Sequence, residues 1–189
     1  MVPAAVAFND TSRQQDGQEW VMCLIEAIEK ELPLGRKQEW MGLFEIGISG
    51  TYECTAGHLK VRMPEVLSML QLGIISQVTG RPLITMVQAM ENYFSEEVLE
   101  KNCAEEGCGA VQATSSNHIT FHPQLLILHY KRFLGPGIGP DADAGPRKVK
   151  HPVSGLADLN MNGIKYGLVG LVVHLGEHMA TGHYMAVTR

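Results

Sequence analysis

No stretch of this 189-residue chain approaches the roughly 18 apolar residues needed to span a membrane, and the short apolar run from Met1 to Phe8 lacks the positive flank of a secretion signal. There is no basic tract either. With 15 Lys and Arg against 20 Asp and Glu, the formal net charge is -5, so the clustered cations that neutralise phosphates are missing and nucleic acid is excluded as the main partner. Cysteine is sparse as well. Four cysteines, irregularly spaced among eight histidines, do not make the disulfide framework of a small secreted protein; they suit metal binding or catalysis in a reducing compartment. The expectation is a cytoplasmic or nuclear protein that uses neither membrane nor nucleic acid. What is present is a globular composition, 45% hydrophobic and 19% charged, enough to bury the core of one domain.

Ser12-Arg13-Gln14-Gln15 fits a capping box with Asp16 in the first turn, so a helix is predicted to start there. Trp20, Val21, Leu24, Ile25, Ile28 and Leu32 continue it as one apolar stripe, and Pro33 ends it. Cys23 lies on the shoulder of that stripe and reads as a small buried hydrophobe, since no paired histidine or helix N-terminus stands beside it. A strand is predicted over Phe44 to Tyr52 and a helix from about Pro82 to Phe94, with Val87, Met90 and Phe94 on one side. Further strands are predicted at Ile119 to Phe121, Leu125 to Phe133, Lys165 to His174 and Gly182 to Thr188. The Leu125 to Leu128 run reads as a buried central strand with Lys131 and Arg132 emerging at its end. Gly135 to Pro146, rich in Gly, Pro and Asp, reads as a surface loop.

The chemistry concentrates near the C-terminus. An apolar run from Tyr166 to Val173 leads into His174-Leu175-Gly176, and a short loop later comes Gly182-His183-Tyr184. A histidine on a strand, beside a glycine that leaves room for substrate, is where a cysteine or serine hydrolase keeps its base. Strand alternation places His183, Met185 and Val187 on one face and Tyr184 and Ala186 on the other, so a core role is the default for Tyr184. His174 could line a substrate groove or pack where its strand ends. Two small clusters, Cys54-Thr55-Ala56-Gly57-His58 and Cys103-Ala104-Glu105-Glu106-Gly107-Cys108, could supply the two close ligand pairs of a tetrahedral zinc site. The alternative is a finger held by β-pairing alone, with thiols left over.

Four blocks in order resemble the catalytic domain of the ubiquitin-specific proteases, papain-like cysteine hydrolases that release ubiquitin from proteins. Gln14-Gln15-Asp16-Gly17-Gln18-Glu19-Trp20 is similar to the family's Q-Q-D-A-x-E-F helix start, with Gly17 and Trp20 as departures. Asn92 to Glu97, up to Cys103, resembles the segment leading into the second half of the family's zinc finger. Leu125 to Phe133 resembles the L-I-I-H-L-K-R-F strand, and Tyr166 to Gly176 with Gly182-His183-Tyr184 resembles the histidine box.

The resemblance implies an α+β fold of the papain-like superfamily, with a thumb, fingers and palm: the end of an incomplete thumb over 1–39, fingers over 40–118 and palm over 119–189. It implies that His183 is the general base, that Gln15, Asp16, His174, Gly182 and Tyr184 border the groove for the ubiquitin tail, and that ubiquitin and ubiquitinated proteins are the partners. The chemistry requires no cofactor; Cys54, His58, Cys103 and Cys108 stand where the family's zinc finger lies and could either hold a structural zinc or be a degenerate finger without one, since the family's pairs are usually Cys-x-x-Cys. Here the first pair has lost a residue and the second is widened by two. The family's nucleophile box, Asn-x-Cys-Tyr, finds no match among the thirteen residues before Gln14, and only six residues follow His183. The expectation is therefore a deubiquitinase fragment that carries the base, hydrolyses isopeptide bonds when complete and is inactive alone; the alternative is an inactive relative that binds ubiquitin without cutting it.

Overall fold

The computed structural model describes residues 17–76, 78–134, 147–178 and 181–189. Two helices open it. The first, α1 (Gly17–Glu31), ends before Pro33, which serves as the N-cap of α2 (Leu34–Gly42); a proline fits there because its missing N–H is one that a helix start leaves unbonded anyway. The Trp40 indole of α2 donates to the Ile25 carbonyl at 3.1 Å and stacks edge-on against Phe44. Only Ile25 of the stripe on α1 is buried, and Trp20 remains 44% exposed. The Ser12 to Asp16 capping box lies outside the described residues.

Next comes the sheet that positions one candidate site. Strand β1 (Ile46–Cys54) pairs with β2 (Leu59–Val61), β3 (Glu65–Leu67) and, antiparallel over nearly its whole length, with β6 (Gln112–Phe121); β5 (Glu97–Glu100) closes the far edge. The strand predicted over Phe44 to Tyr52 begins two residues later, because Leu43 and Phe44 finish the turn that leaves α2. A separate parallel pair is formed by β4 (Leu70–Gly73) and β7 (Leu128–Lys131).

Helix α3 (Met86–Phe94) starts four residues after Pro82. Thr85 and Gln88 form a capping box, each side chain bonding the other's backbone, and the residues before Thr85 are extended. The shift rotates the buried stripe to Met86, Ala89 and Met90, leaving Val87 54% exposed. These three join Ile46, Ile48, Leu70, Leu72, Leu159 and Met161 in the core, so α3 packs against both the sheet built on β1 and the parallel pair.

Three expectations change in the C-terminal half. Leu125 to Ile127 are not strand, and Leu125 is 43% exposed; β7 begins at Leu128, because the backbone before it is bent to bond β4 and Leu43. Arg132 does not emerge freely. Its guanidinium folds back onto the carbonyls of Val149 and His151 at 3.2 and 2.9 Å, and burial lowers its pKa. The strand predicted from Lys165 to His174 is two elements: β11 (Ile164–Gly167), paired with β10 (Asp158–Met161), and β12 (Gly170–His178). The Asn162-Gly163 turn joining β10 to β11, with φ of 53° and 86°, is the two-residue kind that matches strand twist. The short strands β8 (Phe133–Leu134) and β9 (Arg147–Lys148) pair across the segment predicted as a loop, which lies outside the described residues. Among the described residues no helix is long and apolar enough to cross a membrane.

Candidate active site and metal centre

The segment that resembles a histidine box folds as a hairpin of β12 with β13 (Thr181–Thr188), in which His174 lies opposite Tyr184 and Leu175 opposite His183. The register shifts between Leu175 and His178, which bends the ribbon at its tip. Gly182 sits at the bend with φ +147°, and a Cβ there would lie 2.2 Å from the Leu175 carbonyl oxygen and 2.5 Å from His174 Nε2. No other residue fits that place. His183, next in the chain, is exposed.

His174 is half-buried, with its ring 5.0 Å from that of Tyr184 and 5.7 Å from that of Phe133. The Lys148 ammonium of β9 donates to the His174 carbonyl at 2.7 Å, to the Gly176 carbonyl at 2.8 Å and to His174 Nδ1 at 3.1 Å. Lys148 also lies 5.7 Å from the centre of the Phe133 ring. Tyr184 has no core role: its side is 40% exposed, because the hairpin is a two-stranded ribbon with an open face. Its ring does pack against Gly17, where a Cβ would meet it at 2.7 Å. Glycine in place of alanine after Gln-Gln-Asp thus makes room for this contact. His174, Gly182 and Tyr184 are brought together beside His183; Gln15 and Asp16 lie outside the described residues. Lys148 escaped the sequence reading, since a lone lysine past a Gly/Pro loop carries no signal of its own.

The second site is made by strand register. Cys54 ends β1 opposite Ala113 of β6, and β5 pairs with β6, so the turn after β1 and the connection between β5 and β6 meet at one end of the sheet. Gly57, at φ +82°, turns the chain so that Gly57 N–H reaches the Cys54 carbonyl at 2.8 Å and His58 returns alongside Cys54. His58 Nδ1 is 3.6 Å from Cys54 Sγ, 3.2 Å from Cys108 Sγ and 3.6 Å from Cys103 Sγ; Cys54 and Cys108 sulfurs are 3.8 Å apart. All four ligand atoms lie within 4.8 Å of one another.

These distances can be compared with a metal tetrahedron. Bonds of about 2.3 Å to sulfur and about 2.0–2.1 Å to nitrogen give edges of roughly 3.8 Å between sulfurs and roughly 3.5 Å between sulfur and nitrogen. The four residues therefore form a group able to hold a metal ion, with His58 presenting Nδ1. Electrostatics agree at Cys54. Burial pushes its thiol up, but the backbone N–H groups of His58 and Ala56 and the neighbouring thiols outweigh that and bring its pKa down to about 7. At Cys103 the Glu105 N–H, 3.5 Å from Sγ, favours the thiolate, yet burial and the two nearby sulfurs together raise the pKa. A cation at the centre would relieve that crowding of negative charge.

Comparison with known proteins bears on both sites. The family described as "Ubiquitin carboxyl-terminal hydrolase" matches residues 4–189. Ubiquitin carboxyl-terminal hydrolase 36 of Drosophila mojavensis is 29% identical over 195 residues, covering 93% of this chain and 16% of that protein; the protein of the same name in Drosophila virilis is also 29% identical, with 93% and 15% covered. The chain thus spans about a sixth of the length of these relatives. Among solved structures, the SAGA DUB module of Ubp8, Sgf11, Sus1 and Sgf73 bound to monoubiquitin superposes with a TM-score of 0.77 at 22% identity, covering 94% of this chain and 41% of that one. A yeast SAGA DUB module gives 0.73 at 22% identity, with 92% and 42% covered. The likeness in fold is therefore to a papain-like α+β deubiquitinase, and this chain belongs to the ubiquitin carboxyl-terminal hydrolase family as part of a ubiquitin-specific protease catalytic domain.

Proposed function

We propose that the chain is the base-bearing part of a cysteine-type deubiquitinase, in which residues 1–39 end the thumb, 40–118 form the fingers and 119–189 form the palm. The observation that carries this reading is the bent hairpin, where Gly182 is confined against His174 and Leu175 while His183 beside it stays exposed. His183 takes the proton of a nucleophilic thiol; the thiolate attacks the isopeptide carbonyl. The imidazolium then protonates the leaving lysine amine as the C–N bond breaks, and water hydrolyses the thioester that remains. Cys54, Cys103 and Cys108 belong to the metal cluster, and Cys23 lies half-buried within α1. The nucleophile is supplied by polypeptide outside these 189 residues, and ubiquitin conjugates are the substrates. Gln15, Asp16, His174, Gly182 and Tyr184 border the groove that takes the ubiquitin tail.

Zinc is the metal that suits three thiolates and an imidazole in a tetrahedron, held by Cys54, His58, Cys103 and Cys108. It would supply a cross-link between two finger loops and no catalytic chemistry. The setting is cytoplasmic or nuclear, where thiols are kept reduced and available to a metal.

The test uses a fluorogenic ubiquitin substrate and a ubiquitin probe with a C-terminal electrophile. Residues 1–189 alone should turn over neither. A longer native polypeptide containing the nucleophile should be labelled, and His183→Ala should slow labelling by roughly a hundred-fold to ten-thousand-fold, the range of general base catalysis. Equal labelling with His183 removed would refute the base assignment.

A further inference from the structure

Lys148 makes contacts that the catalytic scheme leaves unused. An ammonium group has three protons to donate, and here three acceptors receive them: the carbonyls of His174 and Gly176, and Nδ1 of His174. All three lie on the strand opposite His183: His174 just before the register shift and Gly176 within it. β9 is short and, among the described residues, pairs only with β8, Phe133 against Lys148, so this side chain joins the histidine hairpin to a different pair of strands. The neighbouring Lys150 repeats the link at the surface, pairing with Glu177.

We propose that Lys148 is a positioning residue for the histidine hairpin. An ammonium donating to Nδ1 leaves that nitrogen without a proton, so His174 is the neutral tautomer with its hydrogen on Nε2. Nε2 is the atom that faces Gly182, 2.5 Å from where a Cβ would stand. The same ammonium holds the His174 and Gly176 carbonyls on both sides of Leu175, the residue paired with His183. Lys148 thereby sets the tautomer of His174 and the bend of β12, and through the bend it sets the place of His183. Arginine can keep the charge and donors in a wider, planar form, whereas methionine keeps the stem and loses every donor.

The functional half of this proposal rests on His183 being the base, while the tautomer half does not. Long-range proton–nitrogen NMR on the 15N-labelled chain reads the tautomer directly. In the unsubstituted protein His174 should show an unprotonated Nδ1 and a protonated Nε2; the opposite assignment overturns the proposal with no variant needed. Lys148→Met should mix the two tautomers and speed amide exchange at Gly182 and His183 by at least ten-fold, with exchange in the finger sheet unchanged. Lys148→Arg should recover most of both. An unaltered tautomer and unaltered exchange in Lys148→Met would refute the assignment.

In the longer native enzyme, Lys148→Met should lower kcat on a ubiquitin substrate at least ten-fold with KM within two-fold, and Lys148→Arg should restore kcat. A rise in KM with kcat unchanged would overturn the positioning role. If His183→Ala labels as fast as the parent while the NMR results hold, the base assignment fails and the tautomer assignment stands.

Discussion

Stripping metal from Cys54, His58, Cys103 and Cys108, by chelation or by Cys103→Ser, removes a cross-link between stretches of chain 45 to 54 residues apart in sequence. In the chain-entropy description, closing a loop of that length restricts the unfolded state by about 4 kcal/mol. The folded state should survive the loss, because β1 and β6 stay paired from Gly47–Phe121 to Cys54–Ala113 without help from the cluster. For a chain of this size about 2–4 °C of melting temperature corresponds to 1 kcal/mol, so Tm should fall by roughly 8–16 °C. Elemental analysis of protein prepared with zinc should find about one ion per chain, and a thermal scan with and without chelator measures the shift. A preparation that holds no zinc and melts at the same temperature after chelation would refute the metal assignment, and β-pairing would then be the whole of what holds this end of the sheet together.

Gly182→Ala would drive a Cβ to 2.2 Å from the Leu175 carbonyl at a backbone angle few side chains adopt; positive-φ strain costs about 1–3 kcal/mol, so chemical denaturation should show at least that loss, and an unchanged midpoint would mean that the hairpin bend is elsewhere. Glu177 carries a pH prediction. The Lys150 ammonium, through its hydrogen bond and its charge, holds the Glu177 carboxyl below the usual carboxylate range. Its folded-state pKa is depressed, so the small contribution is complete above the usual carboxylate pKa and disappears as pH falls through the lowered one. An NMR titration should show the Glu177 pKa rising in Lys150→Ala, and a midpoint that does not move would show that the pair is not formed in solution.

Local signals in the sequence carried far where a single segment decided the outcome. The stripe from Trp20 with Pro33 behind it gave the end of α1, because apolar spacing and a missing N–H act within a turn or two. The ligand pairs Cys54/His58 and Cys103/Cys108 were legible as pairs, since each is closed by its own short turn. The long apolar run ending in His174 was read as one strand, but it breaks at Leu168-Val169, where the chain leaves β10 and takes β13 as its partner; a continuous apolar run carries no local mark of such a change. Leu125 to Phe133 misled in a different way: hydrophobic enough for a central strand, it is only part strand, since strand length there is set by what β4 offers as a partner.

The sequence by itself determined the family and the two short pairs, Cys54/His58 and Cys103/Cys108, that could offer ligands to a metal, because these depend on residue type and short spacing. Tertiary structure alone decided that the two ligand pairs meet, through the pairing of β1, β6 and β5; that Gly17 makes room for the Tyr184 ring; and that Lys148 reaches His174 and Gly176. In each case the partners are tens of residues apart or more. No local propensity encodes such a contact, because it forms only when strand register and core packing bring distant side chains within hydrogen-bond or van der Waals range.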